Sequence, residues 1–125
     1  MGDYKLIKKG NVLHFQLMGQ MDIETGIKYA NSIKPYLSEL GSDWATMIDL
    51  NDWGLHIPEV SELMENFHGW LHRNGHRVEV CITGKSDLKI RVREKLLEVS
   101  NTDLKIIYVE SEEEGWAWLS EHGYV

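Results

Sequence analysis

The run WATMIDL, from Trp44 to Leu50, most constrains what this chain can fold into. It is almost unbroken in apolar, aromatic and β-branched residues, and it stops at the carboxylate of Asp49. A strand of that composition needs cover on both faces, which is the situation of a parallel strand inside an α/β sheet. The residues that follow, NDWGLH, read as a turn-rich loop, and Pro58 suits the first turn of a helix, where no backbone N–H partner is needed. In open α/β sheets, ligands and partners meet the loops beyond the carboxyl ends of parallel strands, so residues 49–57 are where function is expected.

The segments on either side fit that architecture. Tyr4 to Lys8 and Val12 to Met18 are short extended segments parted by Lys9, Gly10 and Asn11, a β-hairpin. In the second, Leu13, Phe15 and Leu17 alternate with Val12, His14, Gln16 and Met18, which turns the odd positions to the core and leaves His14 on the less buried face. Gly19, Gln20 and Met21 read as a turn, and Asp22 as the N-cap of a helix carrying Ile23, Ile27, Ala30, Ile33, Lys34, Leu37 and Leu40. Pro35 removes an internal hydrogen bond, so that helix kinks or divides there, and Gly41 ends it. A second helix, Pro58 to His72, turns Val60, Leu63, Met64, Phe67, Trp70 and Leu71 inward and His68 and His72 outward. Those two histidines, with Glu65, have metal-like spacing, but no further ligand is identifiable and no metal site is assigned.

His76 to Thr83 returns as a buried strand, and Asp87 to Val99 as a helix with Leu88, Val92, Leu96 and Val99 inward. Ile90 and Leu97 point the other way and are the expected helical contribution to a weak homodimer. Asp103 to Val109 is the last strand, and Ser111 with Glu112, Glu113 and Glu114 forms a capping box that opens a terminal helix through Trp116, Ala117 and Leu119. The order β-β-α-β-α-β-α-β-α implies one mixed sheet led by an N-terminal hairpin, with parallel strands near 44–50, 77–83 and 104–109 and covering helices.

Composition narrows the function classes. At 125 residues, 42% apolar and 26% charged, the whole chain is expected to form one globular domain. Residues 1–10 carry no signal-peptide or transit pattern, and no window approaches the roughly 18 uninterrupted apolar residues of a membrane helix, so a cytoplasmic location and no membrane span are expected. Thirteen Lys and Arg against twenty Asp and Glu give a net charge of -7, which disfavours nucleic acid. The basic group Lys85, Lys89, Arg91, Arg93 and Lys95 reads as a solvated helix face, and Cys81, inside VEVCIT, as a buried strand side chain.

Familiar motifs fail on inspection, and no cofactor is expected. Gly84, Lys85 and Ser86 look like the tail of a phosphate-binding loop, but the leading glycine position holds Glu79. A calcium loop starting at Asp49 would need its bidentate glutamate where Val60 stands. Asp49, Asp52 and His56 are the only acid and base grouping near a strand end, and they carry the enzymatic alternative, a small hydrolase.

HFQLMG, MIDL, RVEVCIT and the closing KIIYVESEEEGWAWLSE together resemble the SpoIIAA-like family, whose fold is that of the STAS domains, and the likeness spans nearly the whole chain. The resemblance implies a mixed sheet with the N-terminal hairpin at one side. It also implies action by docking, since anti-anti-sigma members bind a kinase partner and are switched by phosphorylation of a serine where the helix after the central strand begins. Asp49 corresponds to the acid closing that strand, but His56, Ile57, Pro58 and Glu59 replace the Asp-Ser-Ser/Thr-Gly sequence, and the nearest hydroxyl is Ser61. The expectation is a non-enzymatic module that binds a small apolar ligand or a protein partner through Asp49, Asn51, Asp52, Trp53, Gly54, Leu55 and His56, with Tyr29 and Tyr36 from the first helix. An anti-anti-sigma-type regulator lacking the phosphorylated serine is a further alternative.

Overall fold

The computed structural model describes residues 2–56, 59–100 and 104–125, with the side chains of 55, 56, 61 and 96–100 outside that description. Twelve elements follow in order: β1 (Asp3–Lys9), β2 (Val12–Met21), α1 (Ile23–Ile33), a 3-10 turn (Lys34–Tyr36), α2 (Leu37–Leu40), β3 (Trp44–Asp49), β4 (Trp53–His56), α3 (Val60–Arg73), β5 (His76–Ile82), α4 (Asp87–Ser100), β6 (Lys105–Val109) and α5 (Glu112–Glu121). The sheet runs β1-β2-β3-β5-β6, with β4 pairing β2 off that path. β1 and β2 are the expected antiparallel hairpin, and β2·β3, β3·β5 and β5·β6 are parallel. β3 therefore lies inside the sheet with both faces covered, as its composition requires.

Alternation sorts the strand residues onto two faces. Leu13, Phe15 and Leu17 of β2, Trp44 and Ile48 of β3 and Cys81 of β5 join the core beneath α1, α2 and α3. Val12, Ala45, Met47, Val78, Val80 and Ile82 face the other way and pack with Val109 and Leu119 beneath α5. That helix comes close because Gly115 has no side chain: a Cβ there would lie 2.5 Å from Met47 Sδ.

Local signals fix the helix ends. Asp22 Oδ1 accepts from Thr25 N at 2.8 Å and Ser111 Oγ from Glu114 N at 3.2 Å, the two expected N-caps. Pro35 divides the first helix through the 3-10 turn, and Gly41, at φ 72°, closes α2.

Three expectations are corrected. Gly19, Gln20 and Met21 are not a turn but the end of β2, and WGLH is not loop but β4, which pairs with that extension. Glycine makes the pairing possible, since a Cβ on Gly54 would stand 3.0 Å from Gln20 N and Gly19 takes φ 71°. The inward face of α1 is Gly26, Tyr29 and Ile33, while Ile23 and Ile27 are 39% and 46% exposed. α1 leans on its glycine, because a Cβ on Gly26 would lie 3.1 Å from Leu63 Cδ2. On α4, Val92 packs on the core as expected, but Leu88 is 60% exposed and Arg93 is buried, while the side chains of Leu96 and Val99 lie outside the described residues.

Candidate functional site

The connection from β3 to β4 is a tight, tied-down loop. Leu50 N donates to Ile82 O at 2.9 Å, which holds the chain against β5 for one residue beyond the strand. Asp49 Oδ1 then accepts from Asn51 N at 2.9 Å, an acid side chain bending its own backbone. Trp53 N donates to Leu50 O at 3.2 Å and Gly19 N to Asp52 O at 2.9 Å. From α4, Lys89 Nζ donates to Leu50 O at 2.6 Å and to Asn51 O at 2.8 Å. Asn51, Asp52 and Gly54 remain exposed, with Gln16 Nε2 reaching Asp52 Oδ2 at 3.4 Å. Lys89 was missed in sequence, where it read as part of a solvated face.

The other expected site residues lie elsewhere. Trp53 is 4% exposed and belongs to the core with Phe15 and Trp44, so its indole is spent on intramolecular packing. Tyr29 is also buried, its ring 4.6 Å from Phe15 and 5.5 Å from Phe67, and Tyr36 packs half-buried on the same core. The Leu55 and His56 side chains lie outside the described residues, as do Ile57, Pro58 and the side chain of Ser61. The grouping of Asp49, Asp52 and His56 is thus described only through its two acids. Ile90 is half-buried and walls a cleft with Thr83 and Tyr108, whereas the Leu97 side chain is outside the described residues.

Among the described residues, two clefts are open to the surface. One of about 330 Å³ lies where β5 and β6 end, beside Thr83, Gly84, Lys85, Asp87 and Glu110. The other, of about 270 Å³, lies between α1 and α3.

Beneath α3 and α4 sits a polar cluster that reading by pattern missed. Arg93 Nη2 donates to Glu79 Oε2 at 2.6 Å, with the side chains 4% and 0% exposed. Cys81 Sγ donates to the same oxygen at 3.2 Å. His76 Nε2 lies 2.9 Å from Thr46 Oγ1, and the ring stacks on Trp44 at 4.8 Å. His68, expected outward, is 3% exposed, because α3 is covered by α4 as well as by α1. Burial pushes the Glu79 carboxyl up, but Arg93, His68 and His76 outweigh it and hold the group down at about 2. Burial depresses His68 to about 3, with help from Arg93, and His76 to about 4 against the pull of Glu79. The Cys81 thiol is pushed well up, by burial and then by Glu79, which suits the inert strand residue expected. The available signal was a glutamate within the buried run VEVCI of β5, since a charge there needs a partner. Among the described residues, no group of three or more His, Cys, Asp or Glu side chains is placed to hold a metal ion. Nor is any described helix long and apolar enough to cross a membrane.

No protein-family model matches the chain, and none of the curated proteins does. Solved structures do match. An uncharacterised protein with a SpoIIAA-like fold from Shewanella loihica superposes with a TM-score of 0.70 at 14% identity, over 95% of each chain. The fold is SpoIIAA-like. An anti-sigma factor antagonist from Mycobacterium paratuberculosis gives 0.61 at 11% identity over 96% of this chain and 95% of that one. SpoIIAA itself, an anti-sigma factor antagonist, gives 0.59 at 10% identity in its unphosphorylated form, over 96% of this chain and 98% of that one. The likeness is one of fold, and it matches the hairpin-led mixed sheet expected from sequence.

Proposed function

We propose that this SpoIIAA-like chain is a non-enzymatic regulatory module that docks a protein partner through the exposed tip at Asn51, Asp52 and Gly54. The observation that carries the reading is the fastening of that tip. Backbone bonds to β2 and β5, the Asp49 turn and two bonds from Lys89 hold it, while its outer side chains stay exposed. A surface fixed before binding loses little conformational entropy on association. The carboxylates of Asp49 and Asp52 accept hydrogen bonds within the loop and from Gln16, roles that shape a surface. Anti-sigma factor antagonists of the same fold act on a protein, which supports a docking role for this one. With Asp52 at the tip and a chain net charge of -7, the partner surface that fits is basic.

The test places a photo-crosslinking residue at Asn51 and, as a control, at the exposed Glu121 in cells that make the protein. A discrete crosslinked species from position 51, absent from position 121 and lost when Asp52→Lys is added, is the expected result. Equal crosslinking from both positions would remove the loop as the docking site.

A further inference from the structure

The cleft between α1 and α3 has the anatomy of a small-ligand site. On α3, Leu63, Phe67 and Trp70 recur four and three residues apart and so share one stripe. Ala30 supplies the small residue opposite them. Gly26 draws α1 onto Leu63 at one end, and past Ala30 the space is walled by Phe67 and Trp70, whose rings stack at 6.1 Å. Three exposed polar residues, Asn31, Lys34 and Asn66, complete the lining. At about 270 Å³ the space falls just under the roughly 300–1,000 Å³ of sites for drug-sized molecules, which suits a short chain or a single ring.

The charge of the lining is informative. The chain has twenty acidic residues, yet none of the seven that line this cleft is acidic, and its single charge is the ammonium of Lys34. Two carboxamides stand with it, and their N–H groups donate to the oxygens of an acid.

We propose that the cleft binds a small free amphipathic acid, its apolar body against Phe67 and Trp70 and its carboxylate at Lys34, Asn31 and Asn66. This site is separate from the docking loop and stands or falls independently of it.

The test uses the intact chain at pH 7 and follows the Trp70 indole N–H by NMR, assigned by its loss in Trp70→Phe. The probes are decanoate, decanol and decyltrimethylammonium, each below its micelle-forming concentration. Decanoate is expected to shift the resonance saturably and to bind about three- to tenfold more tightly than decanol, with the cationic probe weakest. Lengthening the acid from eight to ten carbons should tighten binding by up to about fourfold per methylene. Lys34 is exposed, so Lys34→Met should fold normally, keep decanol binding and lose the preference for decanoate, and Lys34→Glu should reverse the order. A Trp70 signal that none of the probes moves overturns the site, and equal binding of all three overturns the acid. Co-sedimentation with phosphatidylglycerol vesicles that Lys34→Glu abolishes would assign the cleft to a membrane lipid and overturn the free acid.

Discussion

On the face covered by α5, Val12, Ala45, Met47, Val78, Val80 and Ile82 pack against Leu119, with His14 at the margin beside the Trp116 ring. On the face covered by α1 to α4, Phe15, Trp44 and Ile48 share the interior with His68, His76, Glu79 and Arg93. The same strands supply both faces, yet the two are held by different physics. Apolar area accounts for the first, whereas the second also carries an ion pair removed from water, whose desolvation cost is recovered only while both charges are present. The α5 face should therefore respond chiefly to lost volume, with a titrating group only at its margin, where burial lowers the His14 imidazole, and the other face to lost charge and to pH.

The sharpest break is Arg93→Leu. It leaves Glu79 buried without its counter-charge and should cost about 3–5 kcal/mol in urea unfolding. Replacing both residues with leucine should recover more than half of that loss, because the buried charge goes with its partner. A single substitution costing under about 1 kcal/mol would mean that the pair is not sealed from water, and the contrast between the faces would fail.

Leu119→Ala tests the opposite face. Leu119 is fully buried, and its truncation should cost about 2–4 kcal/mol as a cavity term, with the same value at pH 7 and pH 5. A strong pH dependence in this variant would show that the packing at Leu119 is coupled to the His14 imidazole at the margin of that face.

The third prediction sets pH against the polar face. His68 and His76 have folded pKa values of about 3 and 4, below the usual 6.5, because burial penalises the imidazolium. Between those values and 6.5 the unfolded chain binds more protons, so their contribution is complete above about pH 6.5 and is lost as the pH falls. The loss is about 1.4 kcal/mol per pH unit for each histidine, and Glu79 extends it below its usual 4.5 toward about 2. His68→Leu should flatten this acid limb without lowering stability at pH 7, because both ring nitrogens lack a hydrogen-bond partner. An unchanged limb would show that His68 keeps its usual pKa in the fold.

The sequence reading succeeded where signals are local and failed where two distant residues share one reason. Asp22 and Ser111 are legible as caps because the partner amide lies three residues on. The double-sided cover of β3 is legible because WATMIDL leaves no polar face. β4 was not legible, since WGLH pairs with Gly19 to Met21, whose glycines read as a turn until the partner strand is placed beside them. Glu79 signalled only that a partner must exist and not which one, since Arg93 lies 14 residues on and reads as one more cation of a basic helix. In the candidate site, the exposure of Asn51 and Asp52 followed from their place beyond a strand end, but the grip of Lys89 spans 38 and 39 residues and has no local signature. Trp53 stays open in the sequence because a tryptophan between an acid and a glycine is compatible with either side of a loop, and only the pairing of β4 with β2 turns it inward.

The smallest effect concerns whether the two faces act independently. α5 packs on one side of the sheet and begins with Ser111 capping Glu114, followed by three glutamates that complement the helix dipole. Ser111→Ala removes the cap and leaves those charges, so it should cost about 1 kcal/mol and speed amide exchange at Glu114 and Gly115. Ser111→Asp should keep both the cap and the protection, which separates loss of the hydrogen bond from a general effect of substitution. Combined with Arg93→Leu, on the opposite face, Ser111→Ala should add within about 0.5 kcal/mol, as for distant sites without shared partners. The route by which coupling would pass is specific: Glu112 touches both His14, at 3.6 Å, and the Trp116 indole N–H, at 3.3 Å, and so ties the first turn of α5 to β2. A coupling above about 1 kcal/mol would mean that β2 transmits strain from the apolar face to the charged one. Glu112→Gln, which weakens that tie and leaves the cap in place, should then reduce the coupling.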